Sequence, residues 1–126
     1  MSQFDHERLD VYQVAIEFVG EANITADGIP RGRAALGDQL RRAATSICLN
    51  IAEGSGEFAA KEKARFYRIA KRSATECAAV LDVANAWSTS ASEQTGFQQR
   101  LREGKKMLHR IVSMLIKMIK RMEQPG

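Results

Sequence analysis

Apolar residues recur at steps of three and four through four separate stretches of the chain, the period of one face of an α-helix, and strand-like alternation is absent. The first stretch predicts a helix over 8–23. Leu9, Tyr12, Ile16 and Val19 form one stripe and Val11, Ala15, Phe18 and Ala22 a second beside it, a wider apolar face than a surface helix needs. Asp27-Gly28-Ile29-Pro30 then reads as a turn. The second helix is expected over 34–53, with Leu36, Leu40, Ala43, Ile47, Ile51 and Gly54 on its core face and Asp38 as candidate N-cap. Gly54-Ser55-Gly56 matches a helix end in left-handed geometry. The third helix is expected over 59–87, on a heptad of Phe66, Ala70, Ser73, Cys77, Val80, Ala84 and Trp87. Ser90-x-x-Glu93 matches a capping box and predicts a fourth helix over 93–122, with Leu101, Leu108, Ile111, Leu115, Met118 and Met122 along one face.

Short connections make sequential helices antiparallel neighbours. The expected fold is therefore all-α, an antiparallel up-down-up-down four-helix bundle, and 126 residues form a single domain (1–126). The two prolines, Pro30 and Pro125, both fall outside the long periodic segments.

Beside the core stripe of the second helix runs a polar one: Gln39, Arg42, Ser46, Asn50 and Glu53. Short hydrogen-bonding groups next to a core stripe fix helix register when a neighbour satisfies them. Asn50 is expected to cap or bridge helices, and Arg42 to pair with Glu76 beside the third helix's core stripe. The stripe is read as structural, not catalytic.

Charge changes the picture next. The net charge of +4 hides a polarised chain: residues 1–30 hold one basic residue, Arg8, against six acids, and the rest holds eighteen of nineteen Lys and Arg. Between Arg100 and Met122 eight cations face one acid, Glu103. Lys106, Arg110, Lys117 and Arg121 fall at helical spacing, as do Arg65, Arg68 and Arg72, and Arg41 adds a cation on the second helix. Such rows track phosphates without reading bases, which makes RNA or DNA the candidate ligand. The alternative is that acidic first and basic fourth helices serve only protein–protein assembly. Phe58 and Tyr67 are the aromatics expected to be exposed, too few for sequence-specific readout.

Other chemistry finds little footing. Cys48 and Cys77 lie on apolar faces without a CxxC motif and are expected to be buried thiols. With the charged, leaderless start, they point to the cytoplasm. No segment approaches the roughly 20 apolar residues that span a bilayer, and the Asn23-Ile24-Thr25 sequon is a chance match. His6 and His109 are the only histidines and no paired ExxH occurs, so no metal or cofactor is expected. The glycines at 54 and 56 lack the preceding strand and the Lys-Ser/Thr of a phosphate loop. An enzyme is not expected.

The residues Gln39-Leu40-Arg41-Arg42-Ala43-Ala44, Ser46-Ile47 and Asn50-Ile51-Ala52-Glu53-Gly54, with Gly56, resemble the signature of the 23S rRNA intervening-sequence protein family. Leu9, Val11-Tyr12, Ala15, Ile29-Pro30, Glu62, Arg65-Phe66, Ala70, Ser73 and Glu76 extend the resemblance from about residue 4 to 120. The chain departs from the pattern at Glu57-Phe58-Ala59-Ala60, where the family often has a basic residue and a serine, and at Arg72, where it has a small one. The family is in turn similar to the accessory variability determinant of diversity-generating retroelements. That similarity implies a homo-oligomer, a pentameric ring that binds nucleic acid and a reverse transcriptase.

Overall fold

The computed structural model describes residues 4–88 and 95–125. A 3₁₀ turn at Asp5–Arg8 leads into α1 (Asp10–Asp27), and a second one at Arg31–Arg33 leads into α2 (Ala34–Gly56); α3 (Ala60–Trp87) and α4 (Thr95–Glu123) follow. The chain is all-α. Each helix packs against its two neighbours in the order α1, α2, α3, α4 and back to α1. Along each seam, rising residue numbers on one helix meet falling numbers on the next. Gln39 meets Glu76 where Ser46 meets Ser73, and Asp82 meets Lys105 where Arg68 meets Glu123. These contacts fit the up-down-up-down path expected from the short connections. Among the described residues no helix is long and apolar enough to cross a membrane.

The core follows the sequence pattern except along one expected stripe of α1, where Ile16 is exposed and Leu9, Tyr12 and Val19 are only partly buried. Val11, Ala15, Phe18 and Ala22 of α1 are buried, as are Leu40, Ala43, Ile47 and Ile51 of α2. Ala70, Ser73, Cys77, Val80 and Ala84 of α3 are buried too, and so are Leu101, Leu108, Ile111 and Leu115 of α4. Alanines at 15, 22, 43, 44, 70 and 74 let the backbones approach closely. Met118 and Met122 are only half-buried, and Ile119 takes the buried position between them.

Several boundaries differ from expectation, for tertiary reasons. α1 starts at Asp10 because residues 5–8 form their own 3₁₀ turn. It runs on to Asp27 because Thr25 and Ala26 are buried, Ala26 against Gly37 of α2. Arg33, not Asp38, holds the N-cap position of α2; Asp38 sits inside the helix and accepts a 3.3 Å bond from Arg41 Nη1. α2 continues through both glycines to Gly56, and neither has left-handed geometry. Gly54 is where α3 crosses: a Cβ there would lie 2.7 Å from Tyr67 Cε1. The end of α2 is served by Lys63, whose Nζ donates to Ser55 O at 2.9 Å and Gly54 O at 3.4 Å, a cation on two terminal carbonyls. The Ser90–Glu93 capping box lies outside the described residues.

The polar stripe of α2 is built differently from its expected pairing. Ser46 makes the bridge between helices, its Oγ 2.9 Å from Ser73 Oγ. Asn50 stays within α2, its Nδ2 donating to Ser46 O at 2.9 Å and to Ser46 Oγ at 3.1 Å, and so neither caps nor bridges. Glu76 is reached by Gln39 Nε2 at 3.4 Å, not by Arg42, which is exposed. Glu53 is also exposed. Ser46 and Asn50 lie half-buried in the seam and Gln39 reaches across it to Glu76, whereas Arg42 and Glu53 are exposed and make no side-chain bond among the described residues.

Cys48 and Cys77 are free and buried. Burial pushes the Cys48 thiol up to about 11 and, with Glu76 and Cys48 adding to burial, the Cys77 thiol up to about 12, from an ordinary 9.0. Because the folded values lie above the unfolded one, this stabilisation is full below pH 9 and is lost as pH rises towards 11–12. Both thiols are expected to resist a thiol-reactive dye at neutral pH and to react together once guanidinium unfolds the chain. A fast-reacting thiol in the native protein would contradict their burial.

Candidate nucleic-acid interface

The candidate cations separate into two groups once carboxylates are located. Arg41 is held at the α1–α2 seam: Nη2 lies 2.5 Å from Asp27 Oδ1, Nε donates to Asn23 Oδ1 at 2.9 Å, and Asp38 takes Nη1. Arg65 pairs with Glu62 at 3.0 Å, one turn back on α3, and its guanidinium lies over the Phe66 ring. Arg68 reaches across to Glu123 at the end of α4. Lys106 leans on Glu103 at 3.4 Å. Each of these four has part of its charge already answered, although exposed pairs are worth only about 0–1 kcal/mol.

Arg72, Arg110, Lys117 and Arg121 form the second group. All four are exposed, and none has a carboxylate within 4 Å among the described residues. Arg72 stands on the outer face of α3; the other three run along α4, spanning roughly 16 Å at 1.5 Å per residue. They point away from the buried row Leu101, Leu108, Ile111 and Leu115 because they fall between its steps. The adjacency of α3 and α4 brings the two sets to neighbouring helices.

The acidic first helix is partly consumed inside the chain. Glu21 pairs with Arg100 of α4 at 3.0 Å and Asp27 with Arg41. Lys105 ties α4 to Asp82 of α3 at 2.7 Å. Among the described residues no three His, Cys, Asp or Glu side chains come together as a metal-ion site.

Phe58 is exposed as expected, whereas Tyr67 and Trp87 are placed differently. Tyr67 is buried under Gly54, and burial, with Asp5 adding to it, holds its phenol above the ordinary 10.0. Phe58 is fully exposed in the α2–α3 connection. Trp87, expected in the core heptad, is 48% exposed at the end of α3, with the Arg33 guanidinium 3.9 Å from its ring centroid. Heptad position alone could not show this, because α3 runs past its last core contact at Ala84. The sequence signal that could have is the polar run that starts at Ser88, immediately after Trp87.

The fold and charge distribution define a small antiparallel helical bundle with cations free on the outer faces of two neighbouring helices. The sequence model of the 23S rRNA-intervening sequence protein family matches residues 7–110, and the chain belongs to that family. A similar solved structure is that of a protein of unknown function from the S23 ribosomal protein family of Bacteroides thetaiotaomicron. It is 19% identical, with a TM-score of 0.76 over 87% of this chain and 98% of that one, a likeness of fold. A search of curated proteins found no match.

Proposed function

We propose that this chain is a non-enzymatic, self-associating bundle that binds nucleic acid without sequence preference through the outer faces of α3 and α4. The observation that carries this reading is that, of the eight candidate cations, Arg72, Arg110, Lys117 and Arg121 meet no carboxylate among the described residues while Arg41, Arg65, Arg68 and Lys106 are tied. Exposed and unpaired among the described residues, these charges add little to the fold and stay open to a polyanion. The family's name, which refers to an rRNA insertion, fits an RNA ligand. Two free, buried thiols support a cytoplasmic setting. A ring of five and a reverse-transcriptase partner rest on the resemblance alone.

A second reading, assembly or protein–protein adaptation without nucleic acid, is favoured by a different observation. Leu49 on α2 and Ile16 and Ile24 on α1 are exposed apolar side chains on the two helices that carry none of the four free cations. One experiment addresses both readings. Single-stranded RNA is titrated at increasing salt while light scattering gives the mass of the free protein. The nucleic-acid reading expects log K to fall with log salt at a slope of about −3, four single-strand contacts at about 0.7 each. No binding at roughly 50 mM salt removes it. A mass equal to the 14.0 kDa of one chain removes self-association.

A further inference from the structure

A cavity of about 260 Å³ opens at the end of the bundle where α3 stops and α4 begins. Its walls are the indole of Trp87, the ring of Phe97 and the Ile29-Pro30 corner, and Ala84 lies at its floor. Arg33 stands beside it with its guanidinium over the indole and no carboxylate within 4 Å among the described residues. Two local features set this geometry. Gly28 lies flush against Phe97: a Cβ there would sit 3.1 Å from both Cδ1 and Cε1, so the ring rests on bare backbone at the end of α1. Ala84 is small where one more large side chain would fill the space.

We infer that this cavity takes one nucleobase carrying a phosphate, the base against the Trp87 and Phe97 rings and the phosphate on Arg33. The inference deepens the nucleic-acid reading and rests on it. Aromatic rings and guanidinium planes are the surfaces on which unpaired bases stack, and stacking needs no particular base. The volume of about 260 Å³ lies just below the roughly 300–1,000 Å³ of drug-sized ligand sites, a size that suits a nucleobase. Ser88 Oγ donates to Ala84 O at 3.0 Å, which leaves the oxygen's lone pairs to accept from a base N–H. Arg33 meets no carboxylate among the described residues, and a phosphate suits its guanidinium as counterion. A duplex keeps its bases paired and stacked and offers nothing to this cavity. The ligand is therefore a free nucleotide or an unpaired base of a single strand.

Trp87 is the only tryptophan, so emission excited beyond the absorption of Tyr12 and Tyr67 reports on this site alone. The full chain is titrated with adenosine monophosphate, with a labelled single-stranded oligoadenylate of about ten nucleotides, and with a labelled duplex of the same length. Trp87 emission and label anisotropy are read together. The expected result is saturable quenching of Trp87 by the single strand and none by the duplex, with the quenching midpoint shifted roughly five- to hundredfold in Arg33→Gln and Phe97→Leu. Arg33 is exposed, so its replacement tests the site without disturbing the core. Quenching by the monophosphate alone assigns the site to a free nucleotide and removes the outer-face reading. Anisotropy that rises with unchanged Trp87 emission overturns the cavity inference and leaves the outer faces standing. Equal quenching by duplex and single strand overturns it too, and silence in both signals removes both readings.

Discussion

Gly54→Val is expected to destabilise the bundle by about 3 kcal/mol, lowering the melting temperature by roughly 10 °C. The crossing of α2 and α3 leaves no room for a side chain at this position. A Cβ would lie 2.7 Å from Tyr67 Cε1, 2.9 Å from Cδ1 and 3.1 Å from Phe66 Cβ. The Tyr67 ring is buried in the main core and cannot swing away without opening it. Alanine would recover about 1 kcal/mol of helix propensity against this clash, which is why valine, with two more methyl groups, is the sharper test. Gly20→Ala is the matching control. Gly20 is exposed within α1 and nothing lies within 4 Å of an added Cβ, so alanine there is expected to stabilise by about 0.5–1 kcal/mol. Thermal and urea melts of the two variants check both signs. If Gly54→Val melts with the parent, close helix approach is not the reason for a glycine at 54.

Replacing Arg72, Arg110, Lys117 and Arg121 together with glutamine is expected to weaken single-stranded RNA binding on the order of a hundredfold at low salt. The salt slope should fall by about 3. Melting should hardly move, within about 0.5 kcal/mol, because all four are exposed and support no ion pair among the described residues. Arg41→Gln separates charge from position. It removes one cation of the same kind from the α1–α2 seam, where Asp27 and Asn23 already hold it, and should leave the salt slope where it was. Anisotropy titrations across a salt series read both effects. An unchanged slope in the four-site variant would move the binding surface off the outer faces of α3 and α4.

The helical content and the inner face of each helix were legible in the sequence. Leu40, Ala43, Ile47 and Ile51 recur at the helical period and are all buried, and the same holds for Leu101, Leu108, Ile111 and Leu115. Helix ends were less legible. Gly54-Ser55-Gly56 has the local composition of a left-handed stop, yet the chain stays helical through it because the glycine serves a crossing helix. Trp87 fell on the right heptad position but beyond the last layer of the core.

The spacing of apolar residues thus determined that this chain forms four helices and which side of each faces inward, since that information is carried by neighbours three and four residues apart. Which cations remain free was decided only by the tertiary structure. Arg41 is neutralised by Asp27 and Arg68 by Glu123, partners 14 and 55 residues away, whereas Arg72 and Arg121 look the same along the chain and meet no acid among the described residues. Coulomb attraction depends on distance through space, and only the packed bundle sets that distance.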